Sequence, residues 1–363
     1  RYYLRYGVDL KEREEFTFSP VNFGVVLHAV IREVCDEIKK NGESYYLISE
    51  EKRREMVKRS VSAITDIYQN SILKDSSRNS FMIKRMEDLA DRTIWAMGEQ
   101  LKCGNFVPFV FEHKFNMEVG DGDRKQLMSG TIDRVDICEN GTDVYVRIID
   151  YKTGKKDFNI VKTYYGIDIQ LMVYMEAAMK LVAKMRPGKN VIPAGVFYYN
   201  ISDPIVSATT ESAEEIEDKI KGELRLKGMV NSDKDIAEKM DNTEGTSLNI
   251  PVSRKADGGF DSRRSKVMNT EQFNMLGRFV DVRAVDTADR IAGGDIRRSP
   301  YKDGQFSSCD RCPYGAVCGF SVDLPGCNYR KLKKFDDEVL WNNIKEGVDE
   351  NGKKMDTGAE ERD

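Results

Sequence analysis

Between Ser129 and Gly154 the chain reads SGTIDRVDICENGTDVYVRIIDYKTG, and this stretch holds the residues best suited to chemistry on a phosphate. The Asn-Gly pair lies between runs rich in β-branched residues, which predicts two strands joined by a tight turn at Glu139-Asn140-Gly141. Side chains alternate along a strand, so Thr131, Asp133 and Val135 share one side of the first. Val146, Ile148, Asp150 and Lys152 share a side of the second, with Tyr151 pointing away. Two carboxylates and an ammonium can then converge at the ends of paired strands. Hard carboxylate oxygens suit a divalent cation, and a compact ammonium stabilises charge building on a reacting phosphate. The plainer alternative is that Asp-x-Lys on a strand is common and that charges near a hairpin tip are solvated.

A second constellation is Cys309-x2-Cys312-x5-Cys318, with Pro313 after the second cysteine. Three thiols within ten residues have the compact spacing of a metal or iron–sulfur site. A tetrahedral site needs a fourth ligand, and Cys327 would complete a zinc-like set. Cys35, Cys103 and Cys138 stand alone in regular segments and read as small core residues.

The elements that must position these groups can be traced in order. Ser19-Pro20 is a helix start, a capping hydroxyl before a proline at the first helical position. Leu27, Val30, Ile31, Val34 and Ile38 then recur at helical spacing until Asn41-Gly42. His28 flanks that stripe, one turn after Gly24; on its own it reads as a half-buried structural histidine. Residues 50–72 and 78–101 read as two further helices, the second with Ile83, Met86, Leu89, Ala90, Met97 and Leu101 in register. A strand follows over 109–118, with Phe109, Phe111, Phe115 and Met117 on one face and Val110, Glu112 and Lys114 on the other. Gly120-Asp121-Gly122 leads into the hairpin.

Beyond the hairpin, a helix is expected from about Ile167 to Lys184, with Leu171, Met175, Ala178 and Val182 inward and Gln170 and Tyr174 one turn apart beside them. The strand AGVFYYNI (194–201) then returns to Asp203-Pro204. This order implies an α/β fold, a mixed central β-sheet flanked by helices. Residues 207–249 are polar and read as a helical insertion, extending to 265 with the loop around Asp257-Gly258-Gly259, which is expected to be mobile. A helix from Thr270 to Ala292 stops at Gly293-Gly294, and residues 335–363 are expected to form an acidic, fraying tail. The domain itself is placed at 1–334.

Composition bounds the reading more weakly. The 363 residues carry 33% charged side chains but a net charge of only −4, so no global basic field announces nucleic acid, although a local basic groove would suffice. No apolar run approaches the roughly 20 residues of a membrane helix, and no signal peptide is apparent. Seven cysteines without a secretory signal favour a metal site or ordinary thiols over a disulfide framework, and a cytoplasmic location. No phosphate loop of the G-x4-G-K-[ST] kind occurs, so the chain does not hydrolyse ATP by that route. It opens on Arg1 within RYYLRYG, which reads as a fragment of a longer polypeptide.

The string GTIDRVD…IIDYKTG followed by Gln170-x3-Tyr174 resembles the RecB-type branch of the PD-(D/E)XK nuclease superfamily. The resemblance implies a restriction-endonuclease-like core that hydrolyses phosphodiesters. It assigns His28, Asp133 and Asp150 to Mg2+ (Mn2+ substituting) and catalysis to Asp133, Asp150 and Lys152. Gln170 and Tyr174 would orient the DNA backbone or brace the site. Glu112 would assist the metal or a water, or else be a solvated neighbour. Most of the chain, roughly Arg1 to Lys334, resembles the nuclease domain of AddB-type proteins from bacterial helicase–nucleases, which process double-strand breaks for recombinational repair. That likeness implies an AddA-like helicase partner, DNA single strands as substrate and cutting of the 5′-terminated strand. It also implies that Cys309, Cys312 and Cys318 join an upstream cysteine around a structural [4Fe–4S] cluster, incomplete here because that cysteine is missing. Rival readings are a stand-alone iron–sulfur nuclease of the same superfamily, a non-catalytic DNA-binding or scaffolding module, and a zinc-ribbon protein using Cys327.

Overall fold

The computed structural model describes residues 20–67, 77–119, 125–207, 211–295, 297–310, 312 and 314–349. Ser19, the opening RYYLRYG, residues 68–72, Gly120-Asp121-Gly122, Pro313 and the chain after 349 lie outside the described residues. The chain divides into two compact units, Arg1–Asn105 with Tyr151–Lys155 and Tyr199–Arg225, and Phe106–Asp150 with Lys156–Tyr198 and Leu226–Asp363.

The first unit opens with the helices α1 (Pro20–Lys40), α2 (Glu50–Ile67) and α3 (Ser77–Lys102). The α1 stripe is buried as its spacing predicts, with Leu27, Val30, Ile31, Val34 and Ile38 all inside, and Gly42 ends it at φ 66°. Arg53 of α2 forks onto Asp91 of α3 at 2.7 and 3.2 Å, a bidentate pair of the stronger kind.

The second unit is built on a six-stranded sheet in the order β1-β2-β3-β4-β5-β6. Its strands are β1 (Val107–Val119), β2 (Gln126–Asn140), β3 (Asp143–Lys152), β4 (Asn190–Asn200), β5 (Lys227–Asn231) and β6 (Val267–Met268). The helices interleaved with them are α4 (Ile160–Tyr164), α5 (Gln170–Met185), α6 (Ala213–Glu223), α7 (Lys234–Met240) and α8 (Thr270–Ala292). By the division above, α6 and the ends of β3 and β4 count with the first unit.

β1 and β2 pair antiparallel, as do β2 and β3 and also β4 and β5, while β5 and β6 run parallel. The sheet is therefore mixed, as expected. The β2–β3 turn falls one residue later than its Asn-Gly signal suggests. Asn140 pairs with Asp143, so the turn residues are Gly141, at φ 60°, and Thr142. Glycine alone takes that conformation without cost. Val135, Ile137, Val144, Val146, Ile148 and Val196 form one core with Leu171, Met175, Ala178 and Val182 of α5 and Phe273, Leu276 and Val280 of α8. On the other face Asp136 accepts hydrogen bonds from Arg134 (2.7 and 2.6 Å) and Arg147 (2.9 Å), all three fully buried.

Four expectations change. Alternating burial on β1 holds only over Lys114–Val119: the register shifts between Pro108 and Val110, taking Phe109 out of phase, and the strand leaves extended backbone at Glu112, with φ 46°. The helix expected from about Ile167 begins at Gln170 as α5, and a short helix outside that expectation, α4, precedes it. The 207–249 segment is not helical throughout: it also supplies β5, which extends the sheet, and Asp257-Gly258-Gly259 is a tight turn closed by Lys255 N–H to Gly259 O at 2.8 Å. Finally, the tail begins with a helix, α10 (Asp337–Asp349), whose Leu340 and Ile344 enter the core cluster. Between α8 and α10 lie a small three-stranded sheet of β7 (Tyr301–Asp303), β8 (Phe306–Ser307) and β9 (Arg330–Lys331), and the single turn α9 (Gly315–Cys318).

Candidate metal-binding carboxylate site

The strand registers determine the site. Arg134 pairs with Phe111 on one side and with Ile149 on the other. One step further along the same registers, Asp133 stands opposite Glu112 of β1 and Asp150 of β3. Three carboxylates thus form a row across three adjacent strands, at the end of the core that packs on α5.

The row has a distinctive backbone. Glu112 has φ 46°, the one non-glycine residue with positive φ among the described residues. A bulky side chain in that region costs on the order of 1–3 kcal/mol and persists where the surroundings enforce it. The result brings ligand oxygens of Glu112 and Asp133 within 4.8 Å of each other. Asp133 and Asp150 are buried. Hard carboxylate oxygens are the donors Mg2+ and Mn2+ take. The Glu112 and Asp133 oxygens are close enough to serve one such ion.

Gln170 and Tyr174 also come to this row. Gln170 occupies the first position of α5, and its Nε2 donates to Tyr174 Oη one turn later at 2.9 Å. Burial pushes the Tyr174 phenol up; the Gln170 bond opposes that, and the negative fields of Asp150, Asp133 and Glu112 add to it. Tyr174 is therefore a neutral hydroxyl facing the carboxylates. Its ring meets Phe115 edge-on, with centroids 5.8 Å apart. Gly130 leaves the room: a Cβ there would lie 2.9 Å from the Phe115 ring and 3.4 Å from that of Tyr174.

Sequence reasoning missed a neighbouring trio. Tyr198 of β4 donates to Asp168 at 2.7 Å, and Lys156 pairs with the same oxygen at 3.0 Å while its ammonium sits 4.5 Å from the Tyr198 ring centre. Burial, then the Asp168 bond, hold the Tyr198 hydroxyl protonated, with the Asp150 field adding to both. Asp168 two residues before Gln170 was the available signal, but a carboxylate beside a helix start reads equally as a cap.

The remaining candidates sit on other elements. His28 is half-buried on α1 in the first unit, edge-on to Tyr151 with centroids 5.9 Å apart. Gly24, one turn earlier, faces Thr153, whose methyl would lie 3.7 Å from an added Cβ. Lys152 ends β3, two residues after Asp150, and its carbonyl accepts from Ile201 N–H at 2.8 Å. Cys312 N–H bonds Cys309 O at 3.1 Å, and Cys318 closes α9. Among the described residues these thiols do not gather into a three-ligand group, and Cys327 is buried. No helix among the described residues is long and apolar enough to cross a membrane.

Residues 1–319 match the profile of the PD-(D/E)XK nuclease superfamily. Proteins named as the B subunit of an ATP-dependent helicase/deoxyribonuclease are similar over nearly the whole chain. The one from Thermoanaerobacter sp. (strain X514) is 32% identical over 98% of this chain. Those from Caldanaerobacter subterraneus subsp. tengcongensis and Lachnoclostridium phytofermentans are 34% identical over 100% and 99%. In each case the match covers 32% of the relative, so the chain spans about a third of the length of these curated relatives.

Proposed function

The chain belongs to the PD-(D/E)XK nuclease superfamily, and from that premise we propose that it hydrolyses phosphodiester bonds in DNA with a divalent metal. The observation that carries this is the row of Glu112, Asp133 and Asp150 across β1, β2 and β3, with Glu112 and Asp133 oxygens within 4.8 Å. Glu112, Asp133 and Asp150 would hold Mg2+, or Mn2+ in its place. Such an ion, when bound, supplies a water of lowered pKa and charge neutralisation at the phosphate.

The chain's own groups do the rest. Tyr174, kept neutral, donates a hydrogen bond without adding charge, and Gln170 fixes its orientation; together they position a backbone phosphate. Lys152 and His28 enter on the sequence resemblance: Lys152 to stabilise the transition-state oxyanion, His28 as a further metal ligand whose imidazole suits Mn2+.

By likeness to the helicase/deoxyribonuclease relatives, the domain works on single strands unwound from duplex ends beside an AddA-like helicase, cutting the 5′-terminated strand during break repair. Cys309, Cys312 and Cys318 would hold three corners of a [4Fe–4S] cluster whose fourth ligand comes from elsewhere in the polypeptide. The test is degradation of end-labelled single-stranded DNA by the chain in Mg2+, Mn2+ or EDTA. Metal-dependent shortening is expected. A folded chain that binds DNA but never cuts it with either metal would make this a binding module instead.

A further inference from the structure

The small sheet carries a feature that the carboxylate chemistry does not use. Residues 297–334 contain eight Lys and Arg against three Asp, a net charge of +5 within a chain of net −4. Part of that charge lines a cleft of about 950 Å3 between β7, β9 and the loop before β9. Lys302, Lys331 and Lys334 line it and are exposed, with Tyr329 and Asn328 between them. The acid in the lining, Asp303, is already taken by Lys162 at 3.0 Å.

Tyr329 is set as a platform. Its ring packs edge-on against Phe320 with centroids 5.0 Å apart, and the Lys302 ammonium lies 5.9 Å from its centre. A cationic groove with an aromatic ring between the charges is how sequence-tolerant proteins hold single strands, since lysines follow phosphates and an unstacked base covers the ring. Duplex bases offer no free face for that ring.

We propose that the Lys302–Tyr329–Lys331 cleft binds the backbone of single-stranded DNA, with one base on Tyr329. It thus forms a docking surface built from residues other than the carboxylate row. The proposal rests on DNA being the substrate, but its test is independent of cleavage. Affinity of the 363-residue chain for dye-labelled oligothymidylate is measured by anisotropy in EDTA across a salt series. The variants run beside it are Lys302→Gln/Lys331→Gln, Lys302→Arg/Lys331→Arg and Tyr329→Leu, each checked for an unaltered melting transition.

The Gln pair should weaken binding about tenfold or more and lower the log–log salt slope by about 1.4, at roughly 0.7 for each phosphate no longer neutralised. The Arg pair should bind as the original chain does. Tyr329→Leu should lose about tenfold with the salt slope unchanged, since stacking releases no counterions. Unchanged affinity in the Gln pair overturns the proposal. So does competition by polyglutamate or oligouridylate as strong as by oligothymidylate, which would mark a general polyanion site or an RNA site. Failure of the nuclease reading shows separately, as an absence of metal-dependent cutting by the original chain.

Discussion

Glu112 stands opposite Asp133 across the β1–β2 pair with its backbone in the left-handed region, and the two side chains bring oxygens within 4.8 Å. An ordinary extended residue at 112 would keep β1 regular. The strained one aims a third carboxylate at the row, and it gives the site a signature in stability as well as in activity.

That signature is a reversal of the usual strand preference. Glycine within a strand is normally less stable than alanine, but at φ 46° only glycine is relaxed. Glu112→Gly should therefore be more stable than Glu112→Ala by about 1 kcal/mol. Urea denaturation of the two variants in EDTA checks this, and an alanine variant at least as stable as the glycine one would remove the strain.

The Lys152 role separates chemistry from metal binding. Lys152→Ala should slow cleavage of single-stranded DNA by about 100-fold or more while leaving Mn2+ affinity within about twofold, because loss of a single oxyanion-stabilising group typically costs that much. Single-turnover rates and Mn2+ titration on the same preparation decide it. A parallel loss of metal would move Lys152 into the metal's support.

On the far side of the sheet, Asp136 holds two buried arginines. Burial alone would raise its carboxyl, but Arg134 and Arg147 outweigh it, and the folded value falls below the ordinary 3.8. Its stabilisation is complete above the unfolded value and is lost as pH falls through the lower folded one. Asp136→Asn should cost about 3–5 kcal/mol at pH 7, since it strands two buried cations, and it should flatten the pH dependence of stability below about pH 4. Denaturation between pH 3 and 7 reads both effects.

How much of this was legible follows from which signals are local. The α1 stripe and the pairing of Asp133 with Asp150 depend on periods of 3.6 and 2 within single segments, and the sequence displays both. Glu112 depends on a register shift near Phe109 and on its own positive φ, and neither follows from residue types. β5 is five residues long and includes Gly228, so its polar neighbours hid a strand that only pairing with β4 stabilises. In the same way α10 reads as an acidic tail because just two of its side chains, Leu340 and Ile344, are fully buried in the core.

The docking of α10 is open to a direct check. Leu340→Ala should destabilise the fold by about 2–5 kcal/mol, the range for a buried leucine, whereas a fraying tail would register no change. Thermal and chemical unfolding of this variant distinguish the two.

The central claim is that Glu112, Asp133 and Asp150 form one cation site, and Mn2+ binding followed by electron paramagnetic resonance tests it most directly. The original chain should titrate with a saturable Mn2+ site that Mg2+ displaces. Glu112→Gln, Asp133→Asn and Asp150→Asn should each weaken that site about tenfold or more, with the fold retained. Three variants that bind Mn2+ as the original chain does would contradict the account, and the row would then be a set of carboxylates with no metal to hold.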